Sequence, residues 1–131
     1  MFVDRAVFEQ AVDEGGFLEW APFLDYLQGT PIPNAPEGSD IVLEIDVAGA
    51  RQILGRFPDA LLLFVDAPSL DEQRRRLEAR GDPPATVERR IAHGMNERDA
   101  AVDLGMRMVV NDDLDGAVAE IADLIESARG R

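Results

Sequence analysis

Apolar positions recur along this chain first at helical and then at strand spacing. Ala6, Phe8, Ala11 and Val12 form a helical stripe that follows Asp4, an N-cap residue type, and stops at Gly15-Gly16. Phe2-Val3 reads as a stub of strand before it, and Phe17 to Trp20 as a short strand after it. Pro31, Pro33, Pro36 and Gly38 then predict irregular structure from Thr30 to Gly38. Ile41 to Asp46 is a near-continuous apolar run ending in a carboxylate, which predicts a strand. Beyond it, helix and strand alternate. Val47 to Phe57 is predicted helical and Ala60 to Asp66 a buried strand. Ser69 to Glu72 is a capping box that opens a helix to Arg80. Gly81-Asp-Pro-Pro84 breaks the chain before a long helix, roughly Ala85 to Asp103, and a strand from Met106 to Val110. Asn111-Asp-Asp113 turns it into a last amphipathic helix through Leu114, Val118, Ile121, Leu124 and Ile125. Strands that are apolar throughout and alternate with helices predict an α/β fold, with a parallel sheet covered on both faces.

Composition narrows the class of function. A length of 131 residues, 46% apolar and 30% charged, is that of one globular domain. The longest fully apolar run, Ala60 to Val65, covers six residues where a spanning helix needs ~20, so no membrane partner is expected. MFVDRAV has neither the basic region nor the apolar stretch of a signal peptide, and a cytoplasmic location is the expectation. With no cysteine, disulfides, thiolate zinc sites and cysteine nucleophiles are excluded together. The formal charge of −13 repels nucleic acid, whose binding depends on displacing counterions with cations. All 13 basic residues are arginine; there is no lysine.

Four segments in order resemble the guanylate kinase family: Phe17-Leu-Glu-Trp-Ala21, Gly29-Thr-Pro31, Leu43-Glu-Ile-Asp-Val-Ala-Gly-Ala-Arg51 and Val109-Val-Asn-Asp-Asp-Leu-Asp115. Ala67-Pro-Ser69 and Arg76-Leu-Glu-Ala-Arg-Gly81 lie between them. The resemblance runs from Phe2 to about Arg129. Family members begin with a strand and a Gly-rich phosphate loop, followed by a segment of serine, arginine and tyrosine GMP contacts. Neither has a counterpart in these 131 residues. The resemblance therefore implies an α/β fold of the P-loop-kinase type in partial form, lacking the first strand and Gly-rich loop. Residues 1–38 would be a remnant of the small GMP-binding subdomain, and residues 39–131 the core with a lid at about 80–90.

The reaction implied is ATP + GMP → ADP + GDP with Mg²⁺ accompanying ATP as phosphate donor, and no tightly bound cofactor. Glu19 matches the family's guanine-reading glutamate and Asp46 the aspartate at the GMP site. Taken alone, they read as an exposed strand carboxylate and a helix N-cap. Gly29 and Thr30 match a Tyr-Gly-Thr/Ser element that touches the GMP phosphate, with Gln28 at the tyrosine position; alone they read as a turn. Seven arginines (74, 75, 76, 80, 89, 90 and 98) crowd the two helices around Gly81-Asp-Pro-Pro84. Arginine's planar fork suits phosphate, and Arg80 and Arg90 match the lid cations that serve ATP and catalysis. Most of the seven are expected to form pairs on solvated helix faces, such as Glu72–Arg76. Asn111 matches the adenine-side loop and is equally a turn residue. His93 reads as a surface or packing residue, and Trp20 and Tyr26 as core or pocket wall. Asp112, Asp113 and Asp115 lack the spacing of a calcium loop and read as helix caps; no metal site is expected.

Three origins fit the missing segment. The first, preferred because Met1 stands directly before the family's Phe-Val, is an incomplete chain of an ordinary enzyme, inactive alone. The second is a non-catalytic guanylate-kinase-like binding module, and the third a split enzyme completed by another polypeptide. Without a central strand, Ile41–Asp46 and Ala60–Asp66 would each lack a neighbour. A complementing polypeptide, or self-association through unpaired strands, is the partner expectation beyond GMP and ATP.

Overall fold

The computed structural model describes residues 2–23 and 26–130. They form two compact units, residues 1–60 and 61–131, together a mixed α/β fold.

The first unit begins with α1 (Arg5–Asp13). Asp4 occupies its N-cap position, though its side chain makes no cap bond. Phe8 is the residue α1 buries; its ring stacks on Phe17 at 4.4 Å and meets Trp20 edge-on at 6.3 Å. Gly15, at φ +71°, takes the left-handed turn into β1 (Phe17–Phe23). β1 pairs antiparallel with β2 (Tyr26–Pro31). Thr30 and Pro31, assigned by sequence to irregular structure, instead finish this strand: proline is tolerated at a strand end, and cross-strand pairing holds the rest. Phe2-Val3 is not a strand; Phe2 is exposed. Trp20 and Tyr26 also lie largely at the surface, at 37% and 50% exposure. α2 (Val47–Arg56) packs on β1 with Val47, Gly49, Ala50 and Ile53 buried.

The predicted strand Ile41–Asp46 does not form. A strand exists only as half of a ladder, and among the described residues nothing pairs with this run. Ile41 and Val42 are exposed as a result, Val42 by 83%.

In the second unit β3 (Leu63–Asp66) runs parallel to β4 (Arg107–Val110), in register from Leu63↔Arg107 to Asp66↔Val110. β3 is shorter than the apolar run that predicted it, because β4 offers only four partners. α3 (Leu70–Ala79) and α4 (Pro84–Leu104) connect the strands, and α5 (Leu114–Arg129) follows. Ser69 accepts from the Glu72 N–H at 3.1 Å, half of a capping box; the Glu72 carboxylate turns instead to Arg75 and Arg76. Asp113 caps α5 by accepting from Gly116, as its position in the turn predicts. Val87, Ile91, Ala101, Val109 and Ala117 form the core. Among the described residues no helix is long and apolar enough to cross a membrane.

Candidate functional site

The site lies in the first unit and depends on an irregularity in β1. Phe17 pairs with Pro31 and Glu19 with Thr30, so Leu18 is an extra residue without a cross-strand partner. Strand side chains alternate faces, and a bulge resets the alternation. Leu18 and Glu19 are therefore both buried, along with Ala21, while Trp20, whose ring meets Phe8, is 37% exposed. Glu19 is 6% exposed and the one buried charged residue among those described. The reading of Glu19 as an exposed strand carboxylate is excluded.

A buried carboxylate needs hydrogen-bond donors. Thr30 Oγ1 supplies one, donating to Glu19 Oε1 at 2.6 Å from the paired position on β2. Gly29 makes this close approach possible. A Cβ there would stand 2.8 Å from the Glu19 carbonyl oxygen and 2.8 Å from Trp20 Cβ. The second carboxylate is Asp46, whose Oδ1 accepts from the Gly49 N–H at 2.8 Å and caps α2. The cap role and the site role thus coincide in one residue.

Glu19, Gln28, Gly29, Thr30, Glu44, Ile45 and Asp46 line a cavity of about 120 Å³. All five residues assigned to GMP from the sequence meet here. Glu44 and Ile45 join them; only their place in the Leu-Glu-Ile-Asp segment could have signalled this. The volume is below the ~300–1,000 Å³ of a pocket that engulfs a whole ligand, so the cavity admits only part of one. Its three carboxylates accept hydrogen bonds and repel anions, so it fits a donor-bearing group better than an anion. Gln28 puts an exposed amide on the rim.

The remaining assigned residues lie in the second unit. Arg80 Nη2 is 2.7 Å from Asp82 Oδ2, and Arg90 Nε is 3.5 Å from the same oxygen. One carboxylate thus holds both Arg80 and Arg90, and Arg80's hydrogen bond, with the charges of both, keeps Asp82 below the ordinary carboxylate range. Asn111 follows β4; its N–H donates to the Asp66 carbonyl at 2.8 Å and its carbonyl accepts from Arg76 Nη2 at 2.9 Å. Four of the other five arginines of the cluster are ion-paired, Arg74 with Glu88, Arg75 and Arg76 with Glu72, Arg98 with Asp66, while Arg89 donates to Thr86 Oγ1 at 3.4 Å. His93 lies 3.7 Å from Glu97 on the same helix face. Among the described residues no group of three or more carboxylates or histidines is placed to hold a metal ion.

The family model for guanylate kinase matches residues 1–128. The guanylate kinase of Rubrobacter xylanophilus is 40% identical over 130 residues, covering 95% of this chain and 68% of its own length. A guanylate kinase of Thermus thermophilus is 42% identical over 138 residues, covering 99% and 61%. The crystal structure of guanylate kinase from Anaplasma phagocytophilum shares the fold, with a TM-score of 0.67 at 24% identity over 96% of this chain and 63% of that one. The match to the family model runs over nearly the whole chain, and that family is one of nucleoside monophosphate kinases. The chain belongs to the guanylate kinase family. It spans about 61–68% of the length of these two curated relatives.

Proposed function

We propose that this chain supplies the acceptor-nucleotide side of ATP + GMP → ADP + GDP, with Glu19 reading the guanine base. The observation that supports the reading is the buried Glu19 carboxylate, oriented by Thr30 and facing the same cavity as Asp46. Guanine presents N1–H and N2–H₂ as adjacent donors, whereas adenine presents an acceptor at N1. A fixed carboxylate therefore bonds guanine and repels adenine, and charge-assisted bonds of this kind are the strong ones. Asp46 and Gln28 extend the same contact surface, and Gly29 and Thr30 hold its floor.

Phosphoryl transfer depends on positioning and on neutralising the charge that spreads over the transferring group. Arg80 and Arg90 are the cations assigned to that role, and Asn111 to the adenine side of ATP. As in other phosphoryl transfers, Mg²⁺ would accompany ATP and neutralise phosphate charge. No lysine and no Gly-x-x-x-x-Gly-Lys pattern occurs in the 131 residues, so the donor-phosphate cradle is not built from them.

Calorimetric titration of the chain with GMP and with AMP tests the reading. GMP is expected to bind in preference to AMP, and Glu19→Gln to weaken GMP binding by roughly 1.5–3 kcal/mol, the range for a hydrogen bond to a charged group. A chain that takes up GMP and AMP equally, or not at all, overturns it.

A further inference from the structure

The helix capped by Asp46 touches β1 at three successive turns. Gly49 comes first: a Cβ there would stand 2.7 Å from Glu19 Oε2 and 3.3 Å from Asp46 Oδ1. Gln52 is next. Its Nε2 donates to the Trp20 carbonyl at 2.6 Å and its Oε1 accepts from the Trp20 N–H at 3.0 Å. Arg56 is last, with Nη1 donating to the Phe17 carbonyl at 3.0 Å and the Leu18 carbonyl at 2.9 Å. Spacings of three and seven residues place all three on one face of α2.

These contacts fall where the sheet itself specifies least. The bulge leaves Leu18 outside the ladder, so β2 does not fix the backbone just before Glu19. The free edge of β1, normally satisfied by another strand, is satisfied here by an amide and a guanidinium. The two residues flanking Glu19, Leu18 and Trp20, are both held by α2, and Gly49 sets how near the helix comes to the carboxylate.

We propose that α2 gauges the depth of Glu19 in the pocket, with Gly49, Gln52 and Arg56 as positioning residues for purine selection. The inference rests on Glu19 being the base-reading group. Hydrogen bonds weaken steeply beyond about 3.2 Å, so a carboxylate displaced by ~1 Å no longer separates guanine from adenine. Gly49→Ala is the sharpest probe. The atom a new methyl would strike is the far end of the Glu19 side chain, which can swing aside, so the variant displaces the carboxylate without breaking the strand. Gln52→Met keeps the side-chain volume and deletes both bonds to Trp20; Gln52→Glu keeps the acceptor for the Trp20 N–H.

The experiment titrates wild type, Glu19→Gln and these three variants with GMP and AMP by calorimetry, and records a thermal melt of each. Gly49→Ala and Gln52→Met are expected to lose tenfold or more in GMP affinity with AMP affinity unchanged within twofold. Gln52→Glu is expected to fall between them and wild type, and Gly49→Ala to melt cooperatively. If Gln52→Met does not fold, Gly49→Ala and Gln52→Glu decide. A GMP-to-AMP ratio kept within twofold in the folded variants, while Glu19→Gln abolishes it, overturns the inference alone. A wild-type chain with no GMP preference overturns the base-reading role and the inference together, and is recognised because it fails before any substitution.

Discussion

The Thr30 hydroxyl donates to Glu19 Oε1 at 2.6 Å across the hairpin, from the position paired with Glu19 in the ladder. A hydroxyl donates one proton, so Thr30 orients the carboxylate by committing that proton to one oxygen. Thr30→Val keeps the shape and removes the donor. It is expected to destabilise the chain by roughly 1.5–3 kcal/mol and to weaken GMP binding, whereas Thr30→Ser should retain both. Thermal melting with calorimetry checks the pair. A loss in Ser with none in Val would assign the effect to packing of the methyl group.

The chain alone is expected to form no GDP from ATP and GMP. Transfer needs cations and backbone donors around the β- and γ-phosphates, and this chain contributes arginines without the loop lysine. A coupled ADP-release assay on the purified chain, with a complete family member as positive control, measures this. Turnover by the chain alone would show that its arginines suffice.

Acid should loosen α3. Hydrogen bonds from Arg75, then Arg76, hold Glu72 at about 2 against the opposing effect of desolvation. The folded pKa lies below the unfolded one, so the contribution is fully present above the ordinary glutamate range and lost as pH falls toward about 2. Asp82 and Glu88 are lowered too, by hydrogen bonds from Arg80 and Arg74 respectively, and act with the same sign. Denaturant midpoints measured from neutral pH downward should fall, and Glu72→Gln should flatten part of that slope. An unchanged slope would mean that the pair adds nothing measurable, the usual finding for exposed ion pairs.

The pair β3–β4 should drive self-association. Parallel strands are ordinarily covered on both faces, yet Val65, the partner of Val109, and Val110, the partner of Asp66, are 52% and 47% exposed. Size-exclusion at rising concentration should show larger species, and Val65→Lys should raise the monomer fraction. A monodisperse wild-type monomer at every concentration would count against it.

The helices were legible in the sequence because a helix satisfies its hydrogen bonds within itself. Val47–Arg56, Leu70–Ala79 and Pro84–Leu104 fall within a residue or so of their predicted spans, and Leu114–Arg129 starts as predicted and runs four residues past Ile125, with Asp46, Ser69 and Asp113 as caps. Family membership was also legible, being carried by residues in order. Strands are different, because each depends on a distant neighbour. Two apolar runs of similar character, Ile41–Asp46 and Ala60–Asp66, have different fates because only the second finds a partner among the described residues. The hairpin continues through Thr30 and Pro31 for the same reason. Glu19's burial was beyond the sequence: alternation would turn Leu18 and Glu19 to opposite faces, and only the bulge, with α2 gripping the residues on either side, turns both inward. The sequence thus determined which residues carry the carboxylates and the hydroxyl, and the tertiary structure decided that Glu19 is buried, paired with Thr30 and set in the pocket wall, because those properties belong to the contacts between elements.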